Sequence, residues 1–224
     1  MKRIVCILLC ICLLPVPVRG APAEKLVALT FDDGPSGRFT RRLLDGLKKE
    51  NAKATFLLCG YRVEIYPELT ERILAEGHEI GLHGYSHKPM EQMYLGEITG
   101  ELEKTMALLP EGTQVRYLRA PGGAVSGQIR QAAEAAGLGL LLWSVDPRDW
   151  ATEDTRAIEA AVLDSVRDGD VILLHDMTDS SVDAALSLLK KLRSQGFRFV
   201  TVSELAQSRG LPPEPGKVYA SFPA

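Results

Sequence analysis

The chain has 224 residues, 46% apolar and 25% charged, the balance of an ordinary globular protein with one domain and at most short appendages. That composition excludes disorder over most of the length, and a formal charge of −3 excludes a strongly basic nucleic-acid binder.

The N-terminus reads differently from the rest. Lys2 and Arg3 precede an apolar run over residues 4–14, followed by Pro15, Pro17 and the Ala21-Pro22-Ala23 triplet. A basic start, a short apolar core and a small-x-small site predict a secretory signal peptide over residues 1–23. The run is shorter than the roughly 20 residues that span a bilayer comfortably. An uncleaved N-terminal membrane anchor is the alternative. Without Lys2, Arg3 and Arg19, 23 of the 26 basic residues face 29 acidic ones, a charge of −6. Cys6, Cys10 and Cys12 go with the leader, so the exported domain has only Cys59 and no internal disulfide. Its apolar setting, Phe56-Leu57-Leu58-Cys59, predicts a buried structural thiol.

From Lys25 onward, β-rich runs alternate with helical patterns. Strands are expected at 26–31, 54–58, 79–83, 115–119, 139–145, 171–175 and 197–200. Helices are expected at 40–50, 67–75, 96–109, 126–136, 155–166 and 182–194. Gly77, Gly137, Gly169 and Gly196 punctuate helix-to-strand passages. The strands are continuous apolar runs, as in a parallel sheet buried on both faces. Seven β/α units predict a barrel-like α/β fold, with a doubly wound open sheet as the alternative. Residues 24–208 form the domain, and the proline-rich stretch in 209–224 reads as an extended tail.

Parallel β/α folds collect function at the carboxyl ends of their strands. There the chain places Asp32-Asp33-Gly34-Pro35, then His83 and His87, then Arg119, then Asp146 and Asp149-Trp150, and finally His175-Asp176. Three of the four histidines fall on this rim; His78, one residue before a strand, reads as a local packing residue. Asp32 and Asp33 cannot share a strand face, and two carboxylates so close need a cation or a basic partner. His83 and His87 stand at i and i+4, where one helical turn would let both reach one ion. Two histidines and a carboxylate make a protein shell for catalytic zinc. The metalloprotease pattern is absent, because Gly84 stands where its glutamate would be.

Taken together, these segments resemble the polysaccharide deacetylases of the NodB-homology group, carbohydrate esterase family four. Five stretches match that family's motifs in order: Thr30-Phe31-Asp32-Asp33-Gly34-Pro35, His83-Gly84-Tyr85-Ser86-His87, Arg119-Ala120-Pro121-Gly122-Gly123, Asp146-Pro147-Arg148-Asp149-Trp150 and Leu173-Leu174-His175. The resemblance implies a distorted (β/α) barrel of about seven strands. It implies that Asp33, His83 and His87 hold a divalent metal, usually zinc, with cobalt or nickel as substitutes. Asp32 would be the general base, oriented by Arg119, and His175 the general acid, backed by Asp149. Trp150 and Leu173 would wall the acetyl pocket, and the backbone N–H of Gly122 would face the oxyanion. The family commonly has Tyr at the position of Gly122 and Ser or Thr at that of Gly84, so a more open groove is expected beside the metal. The implied activity is hydrolysis of N-acetyl groups on amino sugars of a wall polysaccharide, peptidoglycan or chitin-like, by a secreted monomer. An O-acetyl xylan esterase, a non-sugar amide hydrolase of the same superfamily or a catalytically silent wall-binding module are the alternatives.

Overall fold

Residues 24–224 are described by the computed structural model; the segment read as a signal peptide lies outside the described residues. Their strands are β1 (Lys25–Asp32), β2 (Thr55–Leu58), β3 (Glu79–Leu82), β4 (Tyr117–Leu118), β5 (Gly139–Leu141), β6 (Val171–His175), β7 (Phe197–Phe199) and β8 (Val218–Tyr219). The helices are α1 (Gly37–Lys49), α2 (Gly60–Ile65), α3 (Pro67–Ala75), α4 (Leu95–Met106), α5 (Gly127–Ala135), α6 (Thr155–Ser165), α7 (Asp179–Ser194) and α8 (Val202–Ser208). The strands pair in parallel in the order β6-β1-β2-β3-β4-β5-β8, and β7 joins the amino-terminal part of β1.

Period-two alternation explains what each strand delivers. Val27, Leu29 and Phe31 of β1 face outward into a core shared with Leu43, Leu44 and Leu47 of α1 and Leu188, Leu189 and Leu192 of α7. Leu26 and Ala28 face inward, among Leu57, Tyr117, Leu141 and Val171. Continuing the inward row brings Thr30 and Asp32 into the interior, and the same parity places Arg119 two residues beyond Tyr117 and His175 four beyond Val171. Helix α1 is held by Thr40, Leu43, Leu44 and Leu47, the spacing of one helical face. Each such leucine contributes about 1.5–3 kcal/mol by burial.

The expected distorted barrel is the observed fold, and the open doubly wound sheet is not. Closure comes from the chain just after β5: Val145 bridges Ile172, and the Leu173 N–H donates to Val145 O at 2.9 Å. The single strand expected at 139–145 is therefore split. Its middle departs from the ladder because Arg119 donates to the carbonyls of Leu141 and Leu142, at 3.2 and 2.8 Å.

Three elements escape the sequence patterning: α2, α8 and β8. All three are short, and β8 lies beyond the proline-rich stretch. It pairs with β5, and Tyr219 and Phe222 stack at 5.4 Å, Phe222 being fully buried in the inward core. The tail thus packs back onto the fold through Tyr219 and Phe222, at the amino-terminal end of the barrel. On that same edge, a cavity of about 640 Å³ opens among Ile80, Arg116, Gln207 and Pro213. It receives none of the motif residues.

Candidate active site

Asp33 stands one residue beyond β1 with φ of 71°, so its side chain turns away from that of Asp32. Its Oδ1 lies 3.2 Å from His83 Nε2 and 2.9 Å from His87 Nε2. All three ligand-type atoms fall within 4.8 Å of one another. The His83 Nδ1–H donates to Arg119 O at 2.7 Å, which in the neutral ring leaves the Nε2 lone pair facing Asp33. Asp33 Oδ1 is buried and has no hydrogen-bond donor among the described residues. Such a convergence of electron-pair donors fits a divalent cation. Burial alone would raise the Asp33 carboxyl, but where the adjacent imidazoles of His83 and His87 carry protons, their hydrogen bonds and charge outweigh it and hold it well below the usual carboxylate range. His87 is raised chiefly by its contact with Asp33, against the effect of burial.

The His83–His87 segment is not a helical turn, contrary to the spacing-based expectation. Gly84 has φ of 77° and His87 φ of 58°, both outside the right-handed helical region. Glu101 of α4 fastens this loop instead, its Oε2 accepting from the N–H groups of Tyr85 and Ser86 at 2.8 and 2.7 Å. The N–H of Gly60, at the start of α2, donates to Gly84 O at 2.9 Å. Sequence reasoning missed Glu101, which carries no signal beyond its place in a helical pattern.

Asp32 and Arg119 form a buried pair, with Asp32 Oδ1 2.6 Å from the guanidinium. Arg119 also donates to Thr30 Oγ1 at 2.9 Å, so each of its three nitrogens is engaged within the barrel. A buried charge pair is held in place by such additional hydrogen bonds. Asp32 Oδ2 faces the ligand cluster, 3.8 Å from His83 Nε2. Across the site, Asp149 Oδ1 meets His175 Nδ1 at 2.8 Å while Asp149 Oδ2 accepts the His175 backbone N–H at 2.8 Å. Burial lowers the His175 pKa, but the Asp149 carboxylate outweighs it, and the imidazole is raised from 6.5 to about 9.

Leu173 lies buried on the inward row beneath His175. Trp150 sits on the rim with 60% of its surface exposed and the Arg148 guanidinium 5.3 Å from its ring. Gly122 has φ of 67°, and a side chain there would meet nothing within 4 Å. The aromatic that sequence reasoning missed, Trp143, covers Gly123 instead and lies 5.5 Å from the Arg119 guanidinium. Cys59 is buried, and burial pushes its thiol far above the ordinary range. His78 accepts from the Ala54 N–H at 3.2 Å, and burial lowers it to about 4, in keeping with a packing role.

The family model for polysaccharide deacetylase matches residues 19–141. This chain belongs to the polysaccharide deacetylase family. It is similar to the peptidoglycan-N-acetylmuramic acid deacetylase PdaC of Bacillus subtilis, 37% identical over 83% of this chain and 40% of that protein. A peptidoglycan-N-acetylglucosamine deacetylase of Bacillus cereus is 37% identical over 81% of this chain and 88% of its own length. Among solved structures, a family 4 acetyl xylan esterase from Clostridium thermocellum, in complex with a cobalt ion, superposes with a TM-score of 0.82. It is 35% identical over 89% of this chain and all of that one. The chain spans about 40% of the length of the first curated relatives it matches. In this member of the family the five motif segments lie at or just beyond β1, β3, β4, the Val145 bridge and β6, and the barrel gathers their ionisable groups on one rim.

Proposed function

We propose that this chain is a zinc-dependent N-deacetylase acting outside the cytoplasmic membrane on N-acetylated amino sugars of a wall polysaccharide, peptidoglycan above all. One observation carries the reading. A three-residue metal-type cluster lies between a buried carboxylate held by arginine and an imidazole kept protonated by a second carboxylate. That is the acid–base pair amide hydrolysis needs, flanking a place for the reacting carbonyl. The relatives' names supply the polymer, and the predicted leader the compartment. Among the described residues no helix is long and apolar enough to cross a membrane.

Asp33, His83 and His87 would hold the zinc, with cobalt or nickel as substitutes. A divalent ion there supplies Lewis-acid polarisation of the acetyl oxygen and acidifies water. The protein's own groups do the rest. Asp32, with Oδ1 fixed by Arg119, keeps Oδ2 free to take a proton from the attacking water. Arg119 keeps that carboxylate ionised and aimed. The Gly122 N–H donates to the developing oxyanion. His175, protonated by virtue of Asp149, delivers a proton to the departing amine, which leaves poorly as an anion. Leu173 below and Trp150 at the rim border the acetyl methyl.

The likeness to an acetyl xylan esterase favours a second reading, O-deacetylation by the same groups. Ester cleavage expels an alkoxide rather than an amine. Incubating the zinc-loaded protein with peptidoglycan, N-acetylglucosamine oligomers and acetylxylan, and measuring acetate, decides between them. No acetate from any of the three, with zinc bound, overturns both.

A further inference from the structure

Asp176 is a buried carboxylate that the proposed chemistry does not use. It follows His175 directly, so strand parity sends the two side chains to opposite faces: His175 into the site, Asp176 outward toward α1. There it is completely buried. Its Oδ2 accepts a hydrogen bond from the hydroxyl of Thr40 in α1. The Thr40 Oγ1 in turn accepts the Ser36 N–H at 2.6 Å, and the Ser36 hydroxyl donates to Asp176 O at 2.7 Å. Side chain and main chain of one residue thus hold the end of the turn that follows Asp33, at Ser36, and the first turn of α1, at Thr40.

The carboxyl group also lies close against Gly34. A Cβ added there would stand 2.7 Å from Asp176 Oδ1 and 3.0 Å from Oδ2. Oδ1 itself has no hydrogen-bond partner among the described residues. It serves as a wall rather than as an acceptor. On the other side, Gly34 O accepts the Cys59 N–H at 3.0 Å, so the loop is clamped between Asp176 and the end of β2. The glycine of the first motif and the aspartate after the last motif explain each other: only a residue without a side chain fits against this carboxyl.

We propose that Asp176 is a positioning residue that locks the Asp33–Ser36 turn to the strand carrying His175, so that the metal-ligating carboxylate and the acid imidazole keep one fixed separation. The proposal rests on the deacetylase reading for the roles of Asp33 and His175. Its physical content is mechanical. Asp33 stands at a positive φ that a non-glycine residue holds only when its surroundings enforce it, and Asp176 with Thr40 and Ser36 supplies the enforcement.

The test uses the full chain with Asp176→Ala, Asp176→Asn and Thr40→Val. Zinc affinity is read by competition with a chromophoric chelator, folding by far-UV circular dichroism, and kcat and KM at saturating zinc by acetate release. Asp176→Ala is expected to weaken zinc about 10–100-fold, the usual effect of losing a residue that supports a ligand. It should also lower kcat with KM little changed. Asp176→Asn keeps the shape and the acceptor for Thr40, and is expected to stay within about threefold of the parent on the same scale. Thr40→Val, which removes the donor and leaves Asp176 in place, should weaken zinc in the same direction and serves if Asp176→Ala does not fold. Parent-like zinc affinity and kcat in folded Asp176→Ala or Thr40→Val overturn the proposal, as does an Asn variant no better than Ala. A parent chain that binds zinc but releases no acetate overturns the function reading and leaves the zinc comparison standing.

Discussion

Replacing Asp149 by Asn tests the acid half of the site most directly. Asp149 uses both oxygens on one residue, Oδ1 on the His175 imidazole and Oδ2 on its backbone N–H. Asparagine keeps one acceptor, so its amide must oppose one of these two donors. The His175 pKa should then fall from about 9 to 6.5 or below, since burial acts downward once the carboxylate is gone. At pH 8 the protonated fraction drops from about 0.9 to about 0.03, and the rate of a step requiring imidazolium falls about 30-fold. Below pH 6 the loss should shrink. The same shift carries stability: a group whose folded pKa is raised stabilises fully below its unfolded value of 6.5, and that contribution disappears as pH rises to about 9. It amounts to on the order of 3 kcal/mol. The imidazole can be followed by NMR on chelated protein, and the rate by acetate release across pH 5–10. An unchanged His175 titration in Asp149→Asn would refute the reasoning, and so would a parent imidazole titrating near 6.5.

The remaining predictions are independent of that pair. Asp32→Asn should cut kcat by about 10²–10⁴ while zinc stays bound, and lower stability by up to about 3–5 kcal/mol because the Arg119 charge is left uncompensated inside the barrel; near-parent turnover would remove Asp32 as the base. Chelation should abolish activity with the circular dichroism spectrum retained, since the apolar clusters contain no ligand residue; unfolding on chelation would make the ion structural. Phe222→Ala should cost about 3–5 kcal/mol in urea unfolding, against almost nothing if the tail were an appendage. Gly122→Ala has room but a φ of 67°, so it should cost about 1–2 kcal/mol and fail to tighten KM; an unchanged melting temperature would show the turn to be adaptable.

The ionisable groups were legible from residue order alone. A rim of ionisable groups built at strand ends is written into short stretches such as Thr30–Pro35 and Leu173–His175, because each strand delivers its residues by local geometry. Period-two alternation even separates Asp32 from Asp33 before any contact is known. What holds these groups is different in kind. Glu101 under the histidine loop, two carbonyls on Arg119, Thr40 and Ser36 on Asp176 all come from distant elements, and nothing in their own surroundings marks them. The same is true of the barrel's closure at Val145 and of β8. A two-residue strand has no periodicity to read, and it forms because the inward core leaves a place for Tyr219 and Phe222. Local sequence determines which atoms can do chemistry. Long-range packing decides where they stand, because that depends on which surfaces remain to be buried once the other strands are in place.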